Sequence, residues 1–335
     1  CNFTKNNQAS GENIQNPFID LQYIQTSSIS FEDCLFDNNF GPCIQQENNF
    51  ICTTKISKCT FNKNSGFRGS CIVAYNSIID SNPFMTVEDC IFKENKASEK
   101  GGAVFAETLA VIFTGVNQFI SNAVRMNGDD SDTYSKGGSI YLAQQNPAVY
   151  TLSNCIFTYS SSGNEGGAIM VMAGDIEGKD PTISKDLFIT IENCTFNSCS
   201  AGRLGGAIRC GQEGRIGGED TFDNDINISC CKFSQCSASE GGALYFQDGD
   251  KEGDEETIIE YCTFEGCFGS KGSCILCLSY KFELSHTIFR GSRQVGETAG
   301  GTDIESFLYS KQNEGGIVVT VTNCTFEDNE QNIEM

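Results

Sequence analysis

The sequence predicts an all-β fold: a single-stranded parallel β-helix of about ten to eleven coils, with three short strands in each. Three observations predict it. A Cys-x-Phe signature recurs along the whole chain with a spacing of about 32 residues, in the range of stacked repeats. A Gly-rich signature alternates with it in fixed order. Apolar residues in both follow a period of two rather than 3.6, which marks strands and excludes helical bundles.

The first strand of each coil is led by the signature Cys. Copies begin at Cys1, Cys34, Cys59, Cys90, Cys155, Cys194, Cys231, Cys262 and Cys324, with degenerate copies at Asn117 and Thr287. Two residues on stands the Phe, and Phe36, Phe61, Phe92, Phe157, Phe196, Phe233, Phe264 and Phe326 are expected to form a continuous core spine. The second strand follows a Gly-rich turn, as in Gly101-Gly102-Ala103-Val104, Gly137-Gly138-Ser139-Ile140, Gly166-Gly167-Ala168-Ile169, Gly205-Gly206-Ala207-Ile208 and Gly241-Gly242-Ala243-Leu244. Pairs such as Val104 with Ala106, and Leu244 with Phe246, alternate along it and face inward. The third strand ends three residues before the Cys, at Phe31, Ile56, Val87, Leu152, Ile191, Ile228, Ile259 and Val321. Two mostly polar residues, such as Glu88-Asp89, then shift the inward parity by one, as a corner does.

Stacking at the inter-strand spacing of about 4.8 Å makes a rod on the order of 50 Å long. A propeller needs longer repeats and antiparallel blades. One continuous array over 1–335 is expected, with variable loops at 124–136, 172–187, 211–225, 247–256 and 291–314. Both ends fall within a repeat, without the atypical caps that solenoids use to protect open strand edges. A segment of a larger protein, or a unit that stacks end to end, is the expectation.

The alternating Gly-Gly-Ala-Ile and Phe-x-x-Asn motifs, as in Gly166-Gly167-Ala168-Ile169 and Phe3-Thr4-Lys5-Asn6, resemble the repeats of polymorphic outer membrane proteins. The resemblance spans essentially the whole chain. It implies a right-handed coil, extracellular or cell-surface display, and adhesion rather than chemistry. Cys199, Cys236 and Cys267 depart from it, standing where the motif has Asn. So does the lack of a closing run of amphipathic barrel strands.

Composition narrows the partners. With 22 basic and 44 acidic residues the formal charge is −22, which argues against a nucleic-acid groove. No apolar run approaches the roughly 18 residues of a membrane span. Self-assembly, other surface proteins or glycans are the expected partners. The 19 cysteines sort by repeat phase. The leading column reads as buried thiols, whereas Cys43 with Cys71, and Cys199 with Cys236, are candidate disulfides between adjacent coils. Cys274-Ile275-Leu276-Cys277 places its sulfurs on opposite faces if it lies in a strand, against a zinc or redox reading. His286 is the only histidine and reads as a surface residue.

Three acidic links follow the Gly-rich strand in successive coils. Asp220, Asp223, Asp225, Asp248, Asp250 and Asp254 are candidate calcium ligands, although no EF-hand spacing accompanies them; no cofactor is otherwise required. Asn2, Asn193, Asn227 and Asn323 head Asn-x-Ser/Thr triplets and are candidate glycosylation sites. The alternative to a structural module is a polysaccharide lyase or hydrolase. Its best carboxylate pair is Asp129-Asp130 with Arg125 nearby, and Tyr141, Tyr245 and Phe246 would stack sugars in the absence of Trp. That pair sits in an expanded loop rather than on a rigid strand, so a non-enzymatic extracellular module is the favoured reading.

Overall fold

In a computed structural model of the chain, the described residues are 1–4, 17–22, 28–48, 53–76, 84–107, 109–125, 135–144, 149–173, 187–211, 224–247, 256–278, 281–294, 304–305, 318–329 and 333–334. Every regular element among them is a strand, and every strand pairing is parallel. The strands form three long sheets. The Phe sheet has eleven strands, from Asn2–Thr4 to Thr325–Glu327; the Gly sheet has eleven, from Ile19–Gln22 to Ile333–Glu334; the aliphatic sheet has ten, from Ser28–Glu32 to Val318–Thr322. Within each sheet the strands stack in chain order, so every coil pairs only with its two neighbours. This is the parallel β-helix read from the repeats.

Register makes the columns. Phe61 pairs with Phe36 and Phe92, and Val104 with Ile72 and Ile140, so equivalent residues lie one above another. From Phe3 to Phe326 eleven phenyl rings form an unbroken stack with centroids 4.7 to 5.0 Å apart. Parallel strands enforce that spacing, and each ring pair adds about 0.5–1.5 kcal/mol beyond its buried area. Phe36, Phe61, Phe92, Phe157, Phe196 and Phe233 are fully buried, and Phe326 is half-buried.

Each coil turns at left-handed residues. The residue before the leading Cys has φ near +50°, as in Asp33, Lys58, Asp89, Asn193 and Tyr261. A second such residue, two places after the Phe, was not legible in the repeat: Asn38, Lys63, Glu94, Tyr159 and Ser198 occupy it, and Gly266 and Gly291 do so in later coils. Each non-Gly residue there costs about 1–2 kcal/mol, offset by the packing on both sides. The two glycines of the third turn have separate reasons. Gly166 takes φ 62°, whereas a methyl group on Gly167 would collide with the carbonyl of Gly206 in the next coil.

Several elements exceed the expected three per coil or fall where loops were expected. Short strands such as Ser65–Arg68 and Lys96–Lys100 form a five-stranded sheet between the Phe strand and the Gly turn. Ile304–Glu305 lies inside the expected loop 291–314 and pairs with Ile275–Leu278, because that coil also needs a rung in the Gly sheet. Asn224–Ser229 and Leu187–Glu192 begin one to two residues inside expected loops.

Candidate functional site

Inside the coil, polar side chains are taken up by ladders. The residue after the second corner points inward: Asn64 Nδ2 donates to the Phe36 carbonyl at 3.0 Å and to Asn95 Oδ1 at 3.1 Å, and the Asn39 backbone N–H donates to Asn64 Oδ1 at 3.0 Å. Asn39, Asn95 and Asn122 repeat the pattern. The slot passes to Ser160, then to Cys199, Cys236 and Cys267, whose thiols donate to the carbonyls of Phe157, Phe196 and Phe233 at 3.7–3.8 Å. A thiol there replaces one donor of the amide with a weaker one. The leading column works similarly. Cys194, Cys231 and Cys262 donate to Leu152, Ile191 and Ile228 carbonyls of the preceding coil, and Asn117 substitutes an amide on Val87.

No bridge joins the candidate disulfide partners Cys43 and Cys71, or Cys199 and Cys236, in this structure. Cys43, Cys71, Cys199 and Cys236 are buried, unbridged thiols, and the buried Cys274 Sγ lies 2.9 Å from Ser292 Oγ. Cys43 donates instead to the Ser70 carbonyl at 3.6 Å. Stacked side chains leave their Cα atoms in parallel, one coil rise of about 4.8 Å apart, whereas a disulfide needs Cβ atoms nearer 3.8 Å. Burial pushes the Cys43, Cys71 and Cys236 thiols above their usual range. The reading of Cys274 and Cys277 also changes. The strand starts at Ile275, so Cys274 belongs to the turn, and both sulfurs lie in the main core.

On the outside of the Gly sheet an unexpected second layer appears. Residues in outward phase, Val73, Phe105, Tyr141, Met170, Arg209, Tyr245 and Leu276, are all buried. All but Arg209 pack with Ala143, Met172 and Leu204 into two satellite clusters. Beside them runs a ridge formed by the residues before each Gly turn. Arg68 grips Glu99 with two hydrogen bonds of 2.9 and 2.8 Å and lies 5.7 Å from the Phe105 ring. Lys100 Nζ lies 5.0 Å from the Tyr141 ring. Arg209, 2% exposed, places Nε 3.5 Å from Glu165 Oε2 and donates to the Gly211 carbonyl at 2.7 Å, while Arg203 approaches Glu165 from the solvent side at 4.0 Å. Burial raises the phenol pKa of Tyr245 beside Arg209. Arg209 was missed in the sequence because the cue is slight: a charged residue in the phase that elsewhere carries Phe105 and Tyr141. A small hollow opens near Arg68, lined by Pro42, Gln45, Phe67, Val73 and Tyr75.

Among the other expected site residues, Asp225 is exposed and paired in register with Phe188 and Glu256. Asp220, Asp223, Asp248, Asp250 and Asp254 lie outside the described residues, as do Asp129 and Asp130. Among the described residues no group of three or more His, Cys, Asp and Glu side chains is placed to hold a metal. Tyr141, Tyr245 and Phe246 are buried, so they offer no open platform for a sugar. Asn193 and Asn323 are exposed at left-handed corners, and Asn2 is exposed in the first strand. Asn227 instead lies half-buried within the aliphatic sheet, between Thr190 and Ile258. His286 is exposed as expected, stacks on Tyr261 at 4.7 Å and contacts Asn323 Nδ2 at 3.2 Å.

No helix among the described residues is long and apolar enough to cross a membrane. Comparison of the chain with family models, with curated proteins and with solved structures found no match.

Proposed function

We propose that the chain is a non-enzymatic structural module of an extracellular or cell-surface protein, a stiff acidic scaffold that presents variable links to partners. One observation carries this reading: the Asn and Cys ladders of the stack hydrogen-bond from coil to coil, while most of the net charge falls in the sequence between the strands. The segments outside the described residues hold 22 acidic and 6 basic residues, which is −16 of the total −22. Three of these segments, 174–186, 212–223 and 248–255, leave the Gly sheet in successive coils. A net charge of −22 favours basic protein partners or calcium-bridged contacts over nucleic acid. The resemblance to polymorphic outer membrane proteins points the same way, toward adhesion to surface proteins or glycans, or assembly with further copies.

Incubation with a panel of acidic and neutral polysaccharides tests the proposal. The expected result is saturable, salt-sensitive binding to a surface partner or glycan with no new reducing ends and no unsaturated products. Release of either product would replace the scaffold with a lyase or hydrolase.

A further inference from the structure

Both walls at the junction of the Gly and aliphatic sheets are apolar in most coils, and one coil breaks that rule twice. The inward column on the Gly sheet reads Leu21, Gln46, Ala74, Ala106, Leu142 and Val171. The facing column on the aliphatic sheet runs Ile29, Thr54, Met85, Val111 and Tyr150. Gln46, in the strand Ile44–Asn48, is 0% exposed, and Thr54, in the strand Thr53–Ser57, is 1% exposed. Both amide atoms of Gln46 and the hydroxyl of Thr54 lack a protein hydrogen-bond partner. Folded cores do not leave three such atoms dry, because each forfeits its hydration without replacement.

We infer that the second coil encloses an internal water site, with Gln46 and Thr54 as its ligands. Two further features support it. Ala74 and Ala106 succeed Gln46 in its column, so small side chains leave room beside the amide. Three coils on, Tyr150 occupies the Thr54 column, and its hydroxyl donates directly across the junction to the Ala143 carbonyl at 3.0 Å. Threonine is shorter by a whole ring and cannot span that gap. Water supplies the missing length: it accepts from Gln46 Nε2 or the Thr54 hydroxyl and donates to Gln46 Oε1. Inward neighbours Phe36, Cys43, Ile44 and Ile56 carry no charge, which suits a neutral ligand rather than an ion.

Crystallography of the intact chain at high resolution tests the site. The expected result is an ordered water peak within about 2.6–3.2 Å of both the Gln46 amide and the Thr54 hydroxyl. An empty site, or Gln46 turned onto a protein partner, would overturn it. Stability provides a second readout through Gln46→Leu, Thr54→Val and the double variant, all of which keep the core filled. A bridging water predicts that each single change lowers the folding equilibrium constant by roughly tenfold, with the double costing less than the two combined. Single variants more stable than the parent chain, or strictly additive losses, would exclude the bridge.

Discussion

At the scale of single residues, the inward slot after the second corner shows how one backbone need is met by different side chains. Asn95 satisfies the Asn64 N–H and the Phe61 carbonyl, at 2.9 and 3.0 Å. Asn95→Ala orphans both and is expected to cost about 2–5 kcal/mol in denaturant unfolding. Asn95→Cys is expected to cost clearly less, because Cys199 already fills the same slot two coils beyond Asn122 and donates to the Phe157 carbonyl. Equal losses would show that the thiols are passengers. The thiols themselves can be counted. In the native chain, exposed Cys1 and Cys230 should react first with a thiol reagent and Cys324 more slowly, while the buried core set reacts only after unfolding. Cysteines that stay silent after unfolding without reductant would be disulfides. In a eukaryotic secretory host, peptide mass spectrometry should find glycan at exposed Asn193 and Asn323 and none at Asn227, whose Oδ1 is buried. Modified Asn227 would contradict that reading.

At the scale of elements, the Gly-Gly turn is where coil meets coil. Its second glycine is required by close approach rather than by φ, since Gly102, Gly138, Gly167 and Gly206 each face the carbonyl of the next coil's equivalent turn, Gly138, Gly167, Gly206 and Gly242. Gly167→Ala should therefore destabilise by about 2–4 kcal/mol. Comparable unfolding midpoints for Gly167→Ala and the parent chain would refute the close-approach argument. This turn was legible in the repeat, and so was the strand that follows it. The second left-handed corner was not, because its occupants, Asn38, Lys63, Glu94, Ser121 and Tyr159, share a backbone conformation and no side-chain type. The rung at Ile304 was missed for a related reason: the coil's Gly300-Gly301 pair was hidden among expanded links.

At the scale of the whole molecule, stability is a property of columns, so its pH dependence should be collective. Burial raises the thiols of Cys43, Cys71 and Cys236 above 9.0 and the Tyr150 phenol above 10.0. As pH passes 9 the unfolded chain releases these protons first and binds fewer than the folded chain. Stability contributed by these groups is thus fully present below pH 9 and falls progressively above it. Urea midpoints measured from pH 7 to 10.5 should decline over the upper part of that range, with a shallower slope in Cys71→Ala. A flat profile would mean that the core thiols are not free in the folded chain.

The phase of Cys, Phe and the Gly-Gly pair by itself determined the fold, the spine and the positions of the links, because a stack in register converts sequence period directly into spatial column. Only the tertiary structure decided what the columns do. Whether Cys199 meets Cys236 through a bond or each donates to a carbonyl depends on Cβ separation between coils. Whether Arg209 faces solvent or Glu165 depends on how the ridge before each Gly turn lies against the outer sheet face. Both are distances between residues some 40 positions apart, set by the rise and twist of the coil, and no local pattern of side chains records them.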